Sequence, residues 1–325
     1  MSRLVKILSI DGGGIRGLIP ALLLARLEHL TRTPVCRLFD LIAGTSTGGI
    51  LALGLTVSDG RGCPRYGAEQ LAGMYENRGA EIFSRSIWHR LAAWNNLKRE
   101  KYPCKGLDRV LGDYFGNARL SEALTDVLVT GYEIERRFPF FFRSSRARQR
   151  IDYDFPICQV ARATSAAPTY FQPMKIPTGT NSNHYTLIDG GVFANNPAAC
   201  ALVEARTTHP EADGYLIVSL GTGELLRSLP YDSARSWGLA QWAKPILDVV
   251  FDGVSSTVDY QLRKILAGEP GAPERYFRFQ TTLDGTNHKL DNAGVENLTA
   301  LQGLAQGMIE RNTSELARLC EQLTK

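Results

Sequence analysis

Residues 39–55 read Phe39-Asp40-Leu41-Ile42-Ala43-Gly44-Thr45-Ser46-Thr47-Gly48-Gly49-Ile50-Leu51-Ala52-Leu53-Gly54-Leu55. Phe39 to Ala43 predicts a strand and Ile50 to Leu55 a buried helix. Between them lies Gly44-Thr45-Ser46-Thr47-Gly48, a GxSxG pattern in the setting its chemistry requires. A serine on a sharp strand-to-helix turn holds its hydroxyl clear of the backbone. The flanking glycines, Gly44 and Gly48, permit the tight packing and unusual dihedrals of such a turn. The helix start behind the serine presents unpaired N–H groups and a positive dipole end to an oxygen gaining negative charge. Ser46 is therefore a candidate nucleophile, against the plainer reading of an ordinary glycine turn.

The same alternation extends outward. Val5 to Ile10 reads as a buried strand, followed by a glycine turn and a helix from about Leu18 to Leu30. In that helix Ile19, Leu23, Leu27 and Leu30 recur at helical spacing, and Pro20 falls in the first turn, where no N–H is needed. Val127 to Tyr132 and Phe140 to Arg143 read as strands joined by a short turn, and Tyr185 to Ile188 and Tyr215 to Leu220 complete the expected strand set. Asn196-Pro197 predicts a helix start, with the proline at the first helical position. Strands alternating with helices predict an α/β fold, a mostly parallel central sheet covered by helices on both faces. From Ser233 the pattern turns helical, with Leu239, Trp242, Ala243, Ile246, Val250 and Val254 on one face. The expected division is a catalytic core over residues 1–232 and a helical extension over 233–325, packed on the core as a cap.

Bulk properties narrow the classes further. A formal net charge of +4 over 325 residues gives no general attraction for polyanions, so no nucleic-acid polymer is expected as a partner. The longest apolar runs, Leu18 to Leu27 and Ile50 to Leu55, fall short of the roughly 20 residues that span a bilayer. Asp11 interrupts the apolar N-terminal run early, which argues against a signal peptide. The expectation is a cytoplasmic protein that meets a membrane, if at all, peripherally. Cys36, Cys63, Cys104, Cys158, Cys200 and Cys320 are scattered and read as reduced thiols. The five histidines show no metal-ligand spacing, so neither a metal nor a cofactor is expected.

Two further motifs bear on Ser46. Asp11-Gly12-Gly13-Gly14-Ile15-Arg16-Gly17 follows a strand and opens a helix, and its consecutive glycines bare a row of main-chain N–H groups, an anion cradle. Gly12, Gly14 and Gly17 also match GxGxxG, so a dinucleotide-binding module is the rival. That module needs an acid at the end of the second strand. Asp40 stands at the start of its strand, which favours an oxyanion hole instead. The third motif is Asp189-Gly190-Gly191, a carboxylate at a strand's C-terminal end. Alone it reads as a turn; beside the other two it is a candidate base.

DGGGIRGLIP from Asp11, GTSTGG from Gly44 and DGGVFANNP from Asp189, in that order, resemble the motif set of patatin-like phospholipases. KYPCKGLDRVL, ARATSAAPTYF and SLGTG between and after them are similar to that family too, and the match runs from about Lys6 to Gly223. The resemblance implies a Ser–Asp dyad without histidine and calcium-independent hydrolysis of acyl esters of membrane lipids. It makes Ser46 the nucleophile, Asp189 the base and Gly12, Gly13 and Gly14 the oxyanion hole, with Arg16 at the family's basic position. Gly17, Gly44, Gly48, Gly190 and Gly191 support the motifs. The implied partner is a lipid at a membrane surface; the oligomeric state is left open. Some bacterial patatin-like proteins are membrane-degrading effectors switched on by a cyclic nucleotide, which leaves an anionic or nucleotide regulator as an alternative.

A histidine triad is the natural competitor. His184 precedes Asp189 on one strand, and at about 3.3 Å per residue the two lie roughly 16 Å apart, too far to share one hydroxyl. His29, His89, His209 and His288 lack motif context. An acyl-transferase reading expects histidine just before the serine, where this chain has Thr45. Two segments suit a lipid surface. Ile82 to Lys101 mixes aromatic with basic residues, and Arg143 to Arg150 carries four arginines; the plainer readings are a core-facing helix and a solvated basic loop.

Overall fold

The computed structural model describes residues 3–83, 102–178, 183–225, 228–242, 245–268, 273–283 and 289–325. Its main sheet comprises β1 (Leu4–Ile10), β2 (Leu41–Gly44), β3 (Asp126–Glu133), β4 (Phe138–Arg143), β5 (Met174–Pro177), β6 (His184–Asp189), β7 (Gly214–Leu220) and β8 (Tyr276–Phe279). The order is β5-β6-β3-β2-β1-β7-β8, with β4 also paired to β3. From β3 through β2, β1 and β7 to β8 the strands run parallel. At the other side β4, β5 and β6 pair antiparallel.

Alternation along the strands dictates two buried faces. Val5 and Ile7 of β1, with Leu41 and Ala43 of β2, face α6 (Ala198–Thr208) and α7 (Pro245–Ile265). Ala198, Ala201, Leu202 and Ala205 form the inner stripe of α6, and its small residues let that helix lie close on the sheet. Leu8, Ile10 and Ile42 face the larger layer. There lie α1 (Leu18–Thr31), α2 (Thr47–Thr56), α3 (Ala68–Ile82), α4 (Lys105–Phe115) and α5 (Ile157–Thr164), with α8 (Val295–Arg311) and α9 (Thr313–Leu323) closing it. All ten residues of α2 are buried, which explains an apolar sequence with no polar stripe. The expected α/β fold with both faces covered is therefore the observed one, and Pro20 sits within the first turn of α1 as expected.

Several sequence expectations need correction. β5 and β8 were absent from the expected strand set. β5 is short, at the end of the sheet, and terminates in a proline. β8 reads Tyr276-Phe277-Arg278-Phe279, and the arginine conceals its buried character. The segment after Ser233 is thus not purely helical, because β8 within it extends the main sheet beside β7. Nor do its apolar residues form one core-facing side: Leu239 is 93% exposed and Ile246 43%. Ala243 lies outside the described residues.

Pro197 precedes α6 rather than opening it, and the Asn196 side chain caps Ala198 N–H at 3.0 Å. Ser144–Gln149 is a short helix, not a loop. Its neighbourhood leaves few free charges: Arg143 pairs with Glu204, Arg148 with Asp126 and Arg150 with Asp152, while Arg146 stacks on Tyr153. Of the aromatic-plus-basic segment, only Ile82 and Phe83 belong to the described residues. No helix among the described residues is long and apolar enough to cross a membrane.

Candidate active site

The site forms where three strands end together. β1 and β2 run in parallel register with Ile10 opposite Gly44, so the loops that follow them leave the same edge side by side. β2 meets β3 with Gly44 opposite Val129. β6 runs antiparallel to β3 and reaches Gly131 with Asp189. Its last residue thus arrives, from the opposite direction, two β3 positions beyond the end of β2.

Ser46 occupies φ 55° and ψ −121°, a left-handed backbone that non-glycine residues rarely adopt. The surroundings hold it there. Its N–H donates to Thr164 Oγ1 at 2.8 Å. The Thr45 hydroxyl bonds Thr130 Oγ1 at 2.7 Å and the Ala194 carbonyl at 2.6 Å, tying the turn to the short helix Gly191–Ala194 just after Asp189. Gly48 packs so tightly on β1 that a β-carbon would collide with the Ile10 carbonyl. The Thr47 hydroxyl meets Tyr75 OH at 2.6 Å at the start of α2, where Gly17 also packs. Gly44 closes against Gly48, and Gly190 against Thr130.

The Asp189 side chain is 2% exposed. Burial pushes its carboxyl up to about 7, opposed by the Ser46 hydroxyl and by Gly191 N–H, which donates to Oδ1 at 2.7 Å. The Ser46 hydroxyl hydrogen-bonds to the Asp189 carboxylate, which tempers the upward shift. No ion pair to Asp189 is formed among the described residues. His184 is beside Glu135, His209 beside Glu211 and His29 beside Arg26, all away from Ser46; His89 and His288 lie outside the described residues.

The glycine loop differs from expectation in one respect. Gly12 N–H is already committed, donating to the Asn195 carbonyl at 3.0 Å, and Ile15 N–H donates to Leu290 O at 2.8 Å. Gly13 and Gly14 N–H have no acceptor among the described residues, and both residues line the cavity that holds Ser46 and Asp189. Two open N–H groups suit a single oxyanion better than a pyrophosphate. Arg16 does not line this cavity; its Nε donates back to Gly13 O at 3.3 Å and its guanidinium faces a second cavity.

Gly14 has φ +58°, and a β-carbon there would strike the Leu290 carbonyl. Gly60, at φ +88°, has open space instead. Gly14→Ala is therefore expected to lower stability by about 2–3 kcal/mol and Gly60→Ala by about 1 kcal/mol. Thermal unfolding of the two variants measures the difference, and equal losses would remove the collision from the account.

The remaining walls around Ser46 are largely apolar, from Ile50, Ile82, Phe83, Leu107, Phe171 and Phe251. Sequence reasoning missed three supports. Thr164 anchors Ser46 N–H. Asn195 holds Gly12 through its carbonyl and Ser255 Oγ through Nδ2 at 3.0 Å. Arg278 of β8 grips Asp11, with contacts of 2.9 and 2.6 Å between side chains 5% and 2% exposed. Thr164 and Asn195 stand within the motif segments ARATSAAPTYF and DGGVFANNP, which was a usable signal; Arg278 had none.

Residues 8–202 match the family model described as patatin-like phospholipase. The chain belongs to this family. Among similar proteins, Patatin-like protein 4 of Arabidopsis thaliana is 32% identical, over 96% of this chain and 85% of its own length. Patatin-like protein 2 of the same plant is 33% identical, over 95% and 83%. A Solanum tuberosum relative named probable inactive patatin-3-Kuras 1 is 30% identical, over 97% and 89%. Among solved structures, VipD from Legionella pneumophila is similar at a TM-score of 0.38 and 13% identity, over 95% of this chain and 67% of that one. The patatin-like family match ends within α6, before α7 and β8.

Proposed function

We propose that this patatin-like protein hydrolyses carboxylic acyl esters of membrane phospholipids through an acyl-Ser46 intermediate, with Asp189 as the only proton-transfer group. Ser46 Oγ attacks the ester carbonyl carbon as its proton passes to Asp189. Gly13 and Gly14 N–H hold the oxygen that becomes negative, aided by the N-terminal end of α2. Collapse expels the lysolipid alkoxide, which takes the proton from Asp189 and leaves the fatty acyl group on Ser46. Water then attacks the acyl-serine, giving its proton to Asp189. The second collapse releases the fatty acid and returns the proton to Ser46.

The observation that carries this reading is that a serine in a left-handed turn, a buried carboxylate with its pKa near 7 and two residues with open N–H groups line one largely apolar cavity. An aspartate in its ordinary range is too weak a base for a hydroxyl; one near neutrality is better matched. A relative bearing the word inactive in its name makes direct assay necessary. The test is product analysis by mass spectrometry after incubation with mixed phospholipids, comparing the native protein with Ser46→Ala. Free fatty acid and lysolipid are expected only from the native protein. Equal release by both proteins, or none by either, would sink the proposal.

A further inference from the structure

The C-terminal end of α5 is bonded to both members of the candidate dyad. Thr164 Oγ1 accepts the Ser46 N–H at 2.8 Å, and the Ala166 carbonyl accepts the Asp189 N–H at 3.1 Å. Ser165 stands between these two anchors in the chain and lines the cavity that holds Ser46 and Asp189.

The Ser165 side chain is spare. The residue is 8% exposed, and its hydroxyl has no hydrogen-bond partner among the described residues. Hydroxyls in the last turn of a helix commonly bond back to the carbonyl four residues earlier. Thr31 does so to Leu27 O at 2.8 Å, and Thr56 to Ala52 O at 2.8 Å. Ser165 does not, although its own N–H reaches Ala161 O at 3.3 Å. Thr47 and Tyr75, in the same lining, satisfy each other's hydroxyls at 2.6 Å. A buried hydroxyl left without a partner is costly unless something entering the cavity supplies one.

Two facts decide what enters. The N–H groups of Gly13 and Gly14 already serve the oxyanion, and Ser165 caps the C-terminal end of α5, the negative end of a helix dipole. An oxygen gaining negative charge is disfavoured there. A water whose oxygen gains positive charge as it attacks is favoured. Such a water needs two or more polar partners, and most walls of this cavity are apolar.

Resting on the acyl-hydrolase reading, we propose that Ser165 positions the water that cleaves acyl-Ser46, with one O–H of that water donating to Ser165 Oγ and the other to Asp189. The water oxygen bonds the acyl carbon as the proton on the Asp189 side passes to that carboxylate. Collapse breaks the bond to Ser46 Oγ, which takes the proton from Asp189, and the O–H held by Ser165 leaves with the fatty acid. Ser165 exchanges no proton; it is a positioning residue for the second half of the reaction alone.

The test uses a p-nitrophenyl ester, whose good leaving group makes deacylation the slow step, followed by stopped-flow absorbance and by mass spectrometry of the quenched intact protein. Ser165→Ala is expected to lower kcat about tenfold, the worth of one hydrogen bond, while kcat/KM, which reports acylation, keeps its native value. Nitrophenolate then appears in a burst, and the acyl group accumulates on Ser46. Ser165→Thr retains a hydroxyl and is expected to deacylate about as fast as the native protein. A native kcat in Ser165→Ala would overturn the inference and leave the hydrolase reading standing. So would an equal fall in kcat and kcat/KM without acyl-enzyme, the signature of a merely structural role or of a contact to the ester itself. Absence of Ser46-dependent turnover in the native protein would overturn both readings.

Discussion

Asp189→Asn is expected to abolish ester turnover, by about 10⁴-fold, and at the same time to make the protein more stable at pH 8. Both effects follow from one environment. The carboxylate is almost fully buried, receives one N–H from Gly191 and has a pKa near 7 because burial disfavours its charged form. Asparagine keeps an oxygen for that N–H but accepts no proton from Ser46, so the chemistry stops.

The sign of the stability effect follows from linkage. A carboxyl whose folded-state pKa is raised keeps its full contribution below the unfolded value of 3.8 and loses it as pH rises through about 7. The advantage of Asp189→Asn is therefore small near pH 4, grows toward pH 7 and is constant above it, with an upper limit of about 4 kcal/mol. Denaturant melts at several pH values measure this directly. In the native enzyme, the acidic limb of kcat/KM is expected to fall near pH 7 rather than near 4. A fully active Asp189→Asn protein would restore a histidine base. A variant less stable than native at pH 8 would contradict the account of burial.

The second large effect is expected far from the three motifs. Arg278→Met leaves Asp11 buried without its cation, and breaking a buried pair from one side costs about 3–5 kcal/mol. Asp11 opens the glycine loop and its N–H bonds Leu220 O at 2.9 Å, so movement of its side chain displaces Gly13 and Gly14 as well. Turnover is therefore expected to fall together with stability. Combining Arg278→Met with Asp11→Asn removes the orphaned charge and is expected to recover part of the stability but little of the turnover. A double-mutant cycle in denaturant gives the coupling. A loss below about 1 kcal/mol in Arg278→Met would show that the pair does not hold the loop.

The sequence by itself determined the local machinery. A strand, a glycine-flanked serine and an apolar helix are contiguous in residues 41–56, and steric rules act on neighbours in the chain. The same holds for the glycine loop, whose repeated glycines announce open N–H groups, and for the α/β alternation that placed both on one sheet. Asp189, an acid at a strand end before two glycines, reads alone as a turn and became a candidate base only beside the other two motifs.

Only the tertiary structure decided which of these groups meet and on what terms. That β6 runs antiparallel, and so delivers Asp189 beside the end of β2, depends on pairing between strands more than fifty residues apart. That Gly12 gives its N–H to Asn195, leaving Gly13 and Gly14 open, depends on a contact across most of the catalytic segment. β8 escaped notice because Arg278 looks like a surface residue until Asp11, 267 positions away, neutralises it in the core. Burial, and with it the raised pKa of Asp189, is a property of packed surroundings. No local pattern encodes it, because desolvation is set by everything that folds around a group and not by its neighbours in the chain.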